Sequence, residues 1–251
     1  MDQARRSVYP EAAATWMVGE QRRRVLDLGS GRGAFAKMLH DSGHEVFAVD
    51  RDPSRVAQVA ERLGTAVHVA GQVESLPFLS CHFDVVTSAQ TLHRFAPGLA
   101  LTEIARVLVP GGHLAIAYST RDDTVPWVKR LMALVHQADP SAMRGDFGLE
   151  SINAVSESAY FGPLERRNFR TWVLITRPGL VAMVERRPAV SQLEPEARST
   201  LLKQVGELYD SSARAPEPLL LPYQASCWRA EVNHSQMVLD DLDDAALAMR
   251  W

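Results

Sequence analysis

The sequence predicts an α/β fold built on a doubly wound, mostly parallel sheet. Apolar runs of strand length alternate with helical patterns from residue 25 to residue 119, which is typical of parallel sheets with right-handed crossovers. A glycine-rich turn follows the first apolar run directly, at the position where such folds bind ligands. The 251 residues of the chain are enough for one α/β domain with an elaboration, or for two small domains.

The elements before residue 120 follow from apolar periodicity and from their end signals. Gly43 ends the first helix after the glycine turn, and Pro53 occupies a first-turn position of a helix that Gly64 follows. Residues 110–112, Pro-Gly-Gly, predict a tight turn before the fifth strand. The predicted strands are 25–28, 45–49, 66–70, 83–88 and 113–119, and the predicted helices are 11–19, 34–42, 53–63 and 99–109.

The pattern changes after residue 119. Residues 139–163 are rich in Gly, Ser, Pro and Asn and predict an irregular segment; we interpret 120–165 mainly as a cap inserted over a ligand cleft. Pro222 suits the start of the last strand or an edge position. Residues 237–251 predict an acidic tail, loosely ordered or helical. The other predicted elements are helices 125–138, 178–187 and 194–211 and strands 169–176 and 219–232.

The composition and net charge restrict the kinds of partner that we expect the protein to bind. The hydrophobic content of 46% and charged content of 23% are ordinary for a soluble globular protein, and the net charge of −3 gives no electrostatic footprint for nucleic acid. Cys81 and Cys227 offer neither a disulfide framework nor a metal cage. Residues 1–6 lack an apolar signal core, and no run of 18 apolar residues occurs. We therefore expect a cytoplasmic protein with no membrane or nucleic-acid partner; the sequence does not predict its oligomeric state.

The turn at 29–34 has the spacing of a dinucleotide fingerprint. Gly29, Gly31 and Ala34 match G-x-G-x-x-G/A, and glycine lets the backbone turn sharply and approach a ligand. Asp50 comes 50 − 29 = 21 residues after the first glycine, at the end of the second predicted strand, where an acid binds ribose hydroxyls. This pattern fits a nicotinamide or flavin nucleotide, and equally any cofactor that contains adenosine.

Six segments in order resemble the class I S-adenosylmethionine-dependent methyltransferases, and within them the small-molecule methyltransferases of bacteria. They are 25–33, 49–50, 71–78, 83–86, 92–93 and 106–112, and residues 6–10 resemble a further family segment. The resemblance implies a Rossmann-like, seven-stranded sheet with the last strand antiparallel and a helical cap. It also implies one domain over 1–251, divided into a cofactor-binding core at 6–120, the cap at 120–165, C-terminal strands and helices at 166–232, and a tail at 233–251.

The same resemblance implies how S-adenosylmethionine would bind. Gly29 and Gly31 would lie under its methionine part, and Asp50 would bind the ribose hydroxyls. Val73 would donate its backbone amide to the adenine ring, with Gln72 beside the adenine amino group, where the family commonly has aspartate. A glutamine carbonyl can accept there without charge assistance. The candidate cofactor set is completed by Asp27, Ser30, Arg51 and Ser88.

Two candidate residues keep alternative roles. Asp27 either orients the glycine loop or contacts the ligand. His93 follows the fourth strand and is the candidate catalytic residue, as a proton acceptor; a cofactor contact and a helix-cap histidine are its other interpretations. No metal is expected.

The function implied is methyl transfer to a small organic acceptor at oxygen, either a hydroxyl or a carboxylate. Residues 88–91 read Ser-Ala-Gln-Thr, whereas methyltransferases acting on nucleic-acid amino groups typically carry Asn or Asp, two prolines and an aromatic residue there. Two alternatives remain open at this point. One is an NAD(P)-dependent oxidoreductase, and the other is a non-catalytic S-adenosylmethionine-binding protein.

Overall fold

A seven-stranded mixed sheet organises the chain in a computed structural model that describes residues 9–63, 67–140, 148–213 and 218–237. Its order is β3-β2-β1-β4-β5-β7-β6, with the last strand antiparallel, so the predicted fold class is confirmed. Predicted features at 1–8, at 64–66 and at 238–251 lie outside the described residues. The strands are β1 Arg24–Leu28, β2 Glu45–Asp50, β3 Val67–Ala70, β4 Phe83–Ala89, β5 Leu108–Arg121, β6 Glu165–Ile175 and β7 Leu219–Glu231.

The helices agree with the sequence patterns to within about two residues where both exist. Two helices were not predicted, namely α6 (Leu149–Glu157) and the short α8 (Pro188–Ser191), and a 3-10 turn covers Leu92–Arg94. The helices are α1 Glu11–Val18, α2 Ala34–Asp41, α3 Pro53–Leu63, α4 Pro97–Val107, α5 Pro126–Ala138, α6 Leu149–Glu157, α7 Arg177–Glu185, α8 Pro188–Ser191 and α9 Pro195–Ser212.

The central strands bring three chain segments to one edge of the sheet. β1 lies parallel to β2 on one side and to β4 on the other, with Leu28 paired to Val49 and Asp27 paired to Thr87. The carboxyl ends of these parallel strands therefore meet, and the loops that leave them lie close together. Ligands bind at this edge in open α/β sheets.

The predicted turn at 110–112 lies inside β5, which corrects the sequence-based boundary. The pairing with β4 jumps from Phe83 with Leu108 to Val85 with His113, so the extra residues form a bulge. A Cβ at Gly112 would lie 2.9 Å from the Asp84 carbonyl oxygen, which requires glycine at this close approach. β5 is consequently longer at both ends than the predicted strand.

The prediction of an irregular segment over 139–163 is wrong in part, because α6 occupies its second half. Gly148 begins the helix with a φ of +85°, and Ile152 and Val155 are buried one turn apart. Only these two apolar residues mark the buried face, and Ser and Asn surround them, so the periodicity is too weak to predict a helix. Pro222 is the fourth residue of β7, near the start of the strand as one of the two expectations had it, whereas the edge position is excluded because β7 lies between β5 and β6.

The chain divides into two units, which we describe separately. The first contains the described residues within 1–118, 148–168 and 226–251, and the second those within 119–147 and 169–225. The first unit is built on the parallel part of the sheet. The second has a helical core from α5, α7, α8 and α9, formed by Leu131, Val135, Leu180, Val184, Val190, Leu201, Val205 and Leu208. The predicted boundaries at 120, 165 and 232 stay predictions.

Within the ranges that the structure describes, no helix combines the length and the apolar character needed to cross a membrane.

Candidate functional site

The glycine loop after β1 is held in a left-handed conformation. Gly29, Gly31 and Gly33 have φ values of +64°, +56° and +74°, which suit glycine and strain other residues. The amides of Gly29 and Ser30 donate to the Val49 carbonyl at 2.8 and 3.1 Å. The loop is therefore fixed to the end of β2, and its remaining backbone faces the edge of the sheet.

Thr91 explains why the first position must be glycine. Its hydroxyl donates to the Leu28 carbonyl at 2.8 Å and shares a hydrogen bond of 2.9 Å with Ser88. A Cβ on Gly29 would lie 2.8 Å from the Thr91 methyl group and 2.9 Å from its Cβ. The turn after β4 thus packs directly against the glycine loop, and a side chain at position 29 would separate them.

Asp50 joins the glycine loop to the end of β2. Its Oδ2 accepts from the Gly31 amide at 2.9 Å, and its Oδ1 accepts from the Asp52 amide at 3.0 Å. The Arg55 Nη1 lies 3.8 Å from Oδ2. A carboxylate has about four acceptor positions, so Asp50 retains capacity for two further donors.

A cavity of about 420 Å³ lies at this edge of the sheet, within the usual size range of small-molecule sites. Five of the sequence-predicted residues line it, namely Gly29, Asp50, Arg51, Gln72 and Val73. Three further residues of the wall, Val49, Gly71 and Glu74, belong to the segments 49–50 and 71–78 of the sequence analysis. The wall is completed by six residues that the sequence did not single out, namely Arg55, Thr91, Arg94, Phe95, Ala96 and Leu99.

The remaining predicted site residues do not line this cavity. Gly31 contributes through its bond to Asp50, and the side chains of Asp27 and Ser88 are buried beneath the loop. Ser30 has a buried hydroxyl with no partner among the described residues. Arg55 could have been identified from sequence, because it lies one helical turn from Asp52, with which it forms an ion pair.

Asp27 is a buried acid with an unusual environment. Burial raises its pKa from 3.8 to about 7, an effect that the nearby charge of Asp50 reinforces and the Thr87 hydrogen bond opposes. Thr87 Oγ1 donates to Asp27 Oδ1 at 2.9 Å. Asp27 can therefore be protonated or charged near neutral pH, depending on what binds above it.

His93 is exposed in the 3-10 turn after β4. Its backbone amide donates to the Tyr118 hydroxyl at 3.2 Å, and the two rings are 5.9 Å apart between centroids. Partial burial and then the charge of Arg94 lower the pKa of the imidazole. The ring is consequently neutral at physiological pH, the form that can accept a proton.

Close relatives identify the family. Proteins named uncharacterised methyltransferase, from Mycobacterium bovis and Mycobacterium tuberculosis, are 30% identical over 228 residues, which cover 90% of this chain and 90% of the relative. The family model for a methyltransferase domain matches residues 26–116. The protein is a class I S-adenosylmethionine-dependent methyltransferase. Its enzyme class, predicted from the six segments, is confirmed.

Other methyltransferases are similar over shorter stretches or at lower identity. A malonyl-[acyl-carrier protein] O-methyltransferase of Enterobacter lignolyticus is 28% identical over 145 residues, 52% of this chain and 57% of that protein. A candidate type II methyltransferase of Anaeromyxobacter dehalogenans has a similar structure, with a TM-score of 0.68, 19% identity, and coverage of 89% of this chain and 96% of that one. The similarity to the Anaeromyxobacter structure shows a shared fold and nothing further.

The cavity of this methyltransferase fits S-adenosylmethionine in its chemistry. The glycine loop leaves backbone without side chains at one end, and Asp50 offers an acceptor for hydroxyl groups. Val73 and Gln72 offer a backbone amide and a side-chain carbonyl at the other wall. Among the described residues, no group of three or more His, Cys, Asp and Glu side chains is arranged to hold a metal ion.

Proposed function

We propose that this methyltransferase transfers a methyl group to a small organic acceptor at an oxygen atom, either a hydroxyl or a carboxylate. The observation that carries the methyl-transfer part of the proposal is the cavity bounded by Gly29, Asp50 and Val73 at the carboxyl ends of parallel strands. The O-methyltransferase among the similar proteins supports oxygen as the acceptor atom.

In this proposal each of the nine candidate cofactor residues has a role. Asp50 accepts hydrogen bonds from the ribose hydroxyls, and the Val73 amide and the Gln72 side chain bind the adenine edge. Gly29 and Gly31 allow close approach to the methionine part, and Asp27, Ser30, Arg51 and Ser88 complete the cofactor set from beside and beneath the loop. When bound, S-adenosylmethionine supplies a methyl group on an activated sulfonium.

The protein's contribution is then alignment and exclusion of water, rather than activation of the donor. A carboxylate acceptor needs no base, whereas a hydroxyl acceptor must lose its proton. His93, whose lowered pKa keeps the imidazole neutral, is the candidate proton acceptor. The segment 120–165 stays our candidate for acceptor selection.

Cofactor choice can be tested by thermal stability. S-adenosylmethionine at about 100 times its dissociation constant is expected to stabilise the protein by ~2.7 kcal/mol, and S-adenosylhomocysteine is expected to act similarly. NAD serves as the control ligand, since it would bind at the same glycine loop if the protein were an oxidoreductase. A melting shift with NAD and none with S-adenosylmethionine would contradict the proposed function.

Asp50→Ala is expected to weaken S-adenosylmethionine binding by about 1–3 kcal/mol, because a charged acceptor for donor groups is lost. Calorimetric titration measures the change. Asp52→Ala is the matched control, because it removes the same charge two residues away, outside the cavity lining. Equal affinities of Asp50→Ala and Asp52→Ala would show that Asp50 does not bind the ribose.

A further inference from the structure

Arg121, the last residue of β5, is a partly buried cation with weak partners. Its Nη1 lies 3.8 Å from the Met132 sulfur, and its Nη2 lies 3.5 Å from the Met183 sulfur. The guanidinium carbon is 6.0 Å from the centre of the Tyr223 ring, and the Tyr223 hydroxyl is a further partner. Its Nε is buried with no hydrogen-bond partner among the described residues.

Three other arginines of the second unit are paired with acids. Arg187 donates to Asp139 at 2.6 Å, Arg177 donates to Asp210 at 2.8 Å, and Arg170 forms an ion pair with Asp122. In contrast, no carboxylate of the described residues pairs with Arg121. Each of these three arginines has a carboxylate partner, whereas the neighbours of Arg121 are thioether and phenol groups.

An unpaired charge of this kind is unfavourable without a ligand. Removing a buried cation from water costs several kcal/mol unless an anion compensates for it. Burial and then the positive charge of Arg187 lower the pKa of the Arg121 guanidinium. Thioether sulfur is a weak acceptor, so Met132 and Met183 compensate poorly. An anion that binds Arg121 would displace these two thioether groups at little cost in free energy, since methionine side chains are flexible.

The surroundings of Arg121 favour an anion attached to an apolar body. Met132 belongs to a buried cluster with Val128 and Leu221, and the partly buried side chains packed against that cluster are Val125, Trp127, Ile175, Met183 and Tyr223. A guanidinium can give a carboxylate two parallel N–H bonds. A phosphate dianion needs more donors than one guanidinium supplies, so the lone Arg121 favours a carboxylate.

We propose that Arg121 binds the carboxylate of an organic acid whose apolar part contacts Met132, Met183 and Tyr223. The binding site itself is independent of the reaction.

The probe is 4-phenylbutyrate, with the neutral 4-phenylbutyramide and inorganic phosphate as comparison ligands. Calorimetric titration of the full chain is expected to detect the acid and to detect the amide about tenfold more weakly or not at all. Arg121→Met is expected to weaken binding of the acid at least about tenfold, consistent with loss of a charge-assisted hydrogen bond. Arg130→Met, on the exposed side of α5, is the control and is expected to bind like the wild type.

Melting temperature provides a second readout that needs no ligand. Arg121→Met is expected to melt at or above the wild-type temperature, because an uncompensated charge is replaced by an apolar chain of similar length. A lower melting temperature would mean that Arg121 is paired within the protein, and would overturn the proposal. Equal binding of acid and amide, stronger binding of phosphate than of the acid, or wild-type affinity in Arg121→Met would overturn it as well. Failure of the proposed function appears separately, as an absent melting shift with S-adenosylmethionine.

Discussion

Gly29→Ala is expected to lower the free energy of unfolding by about 3 kcal/mol and to weaken S-adenosylmethionine binding about 100-fold. Two effects add. A non-glycine residue at the observed φ of +64° is strained by about 1–2 kcal/mol. The new methyl group would also lie 2.8 Å from the Thr91 methyl, an overpacking that costs about 1–3 kcal/mol. Chemical denaturation and calorimetric titration measure the two losses.

Gly31→Ala separates these two effects. Gly31 has a similar φ of +56°, but the nearest atom to an added Cβ is the Gly29 carbonyl oxygen at 3.9 Å. This variant should therefore show the backbone strain of about 1–2 kcal/mol without the collision. If Gly29→Ala and Gly31→Ala unfold with equal free energies, packing of Thr91 against the loop is not what requires glycine at position 29.

Asp27→Asn is expected to change the pH dependence of stability. The pKa of Asp27 is raised from 3.8 to about 7 in the folded protein, so the native state holds a proton that the unfolded chain releases. The stabilisation that this proton provides is complete below the pKa that Asp27 has in the unfolded chain. It is lost as the pH rises through the pKa of Asp27 in the folded protein. At about 1.4 kcal/mol per pKa unit, wild-type protein should lose about 4 kcal/mol through this group between about pH 4 and about pH 7.

Asparagine resembles the protonated acid and does not titrate, so the variant should lack this loss. The quantity to measure is the difference in unfolding free energy between Asp27→Asn and the wild type, which should grow as the pH rises across that window. Histidines whose pKa values are lowered in the folded protein make the opposite contribution, because they reduce its stability as the pH falls. Both proteins share this contribution, so it cancels in the difference between them. These histidines include His44, His68, His82 and His113. Parallel profiles for the two proteins would contradict the assignment.

The parallel core could be predicted because its signals are local. Apolar runs, Gly43 and Pro53 mark the ends of its elements, and the spacing from Gly29 to Asp50 reflects one strand-helix-strand unit. These features lie in short windows of sequence. The same locality explains why five predicted cofactor residues line one cavity.

The structural features that could not be predicted from the sequence depend on contacts between distant segments of the chain. At the bulge in β5, Gly112 lies close to the Asp84 carbonyl of the neighbouring strand, and no pattern near residue 112 reveals that neighbour. Thr91 and Phe95 enter the cavity wall through the 3-10 turn after β4, whose direction a motif does not specify. Arg121 could not be distinguished from a surface arginine, since its distinction is a buried Nε without a partner among the described residues and contacts with Met183 and Tyr223, which lie far away in the sequence.

The position of β7 between β5 and β6 has a consequence for biosynthesis. During translation β6 leaves the ribosome before β7, yet it has no sheet neighbour until β7 has been made. The amino-terminal parallel core can order co-translationally, whereas completion of the sheet must wait for the synthesis of β7. Premature stop codons shortly before residue 219 would therefore leave a nascent product with an unpaired edge strand, a substrate for chaperones and proteolysis.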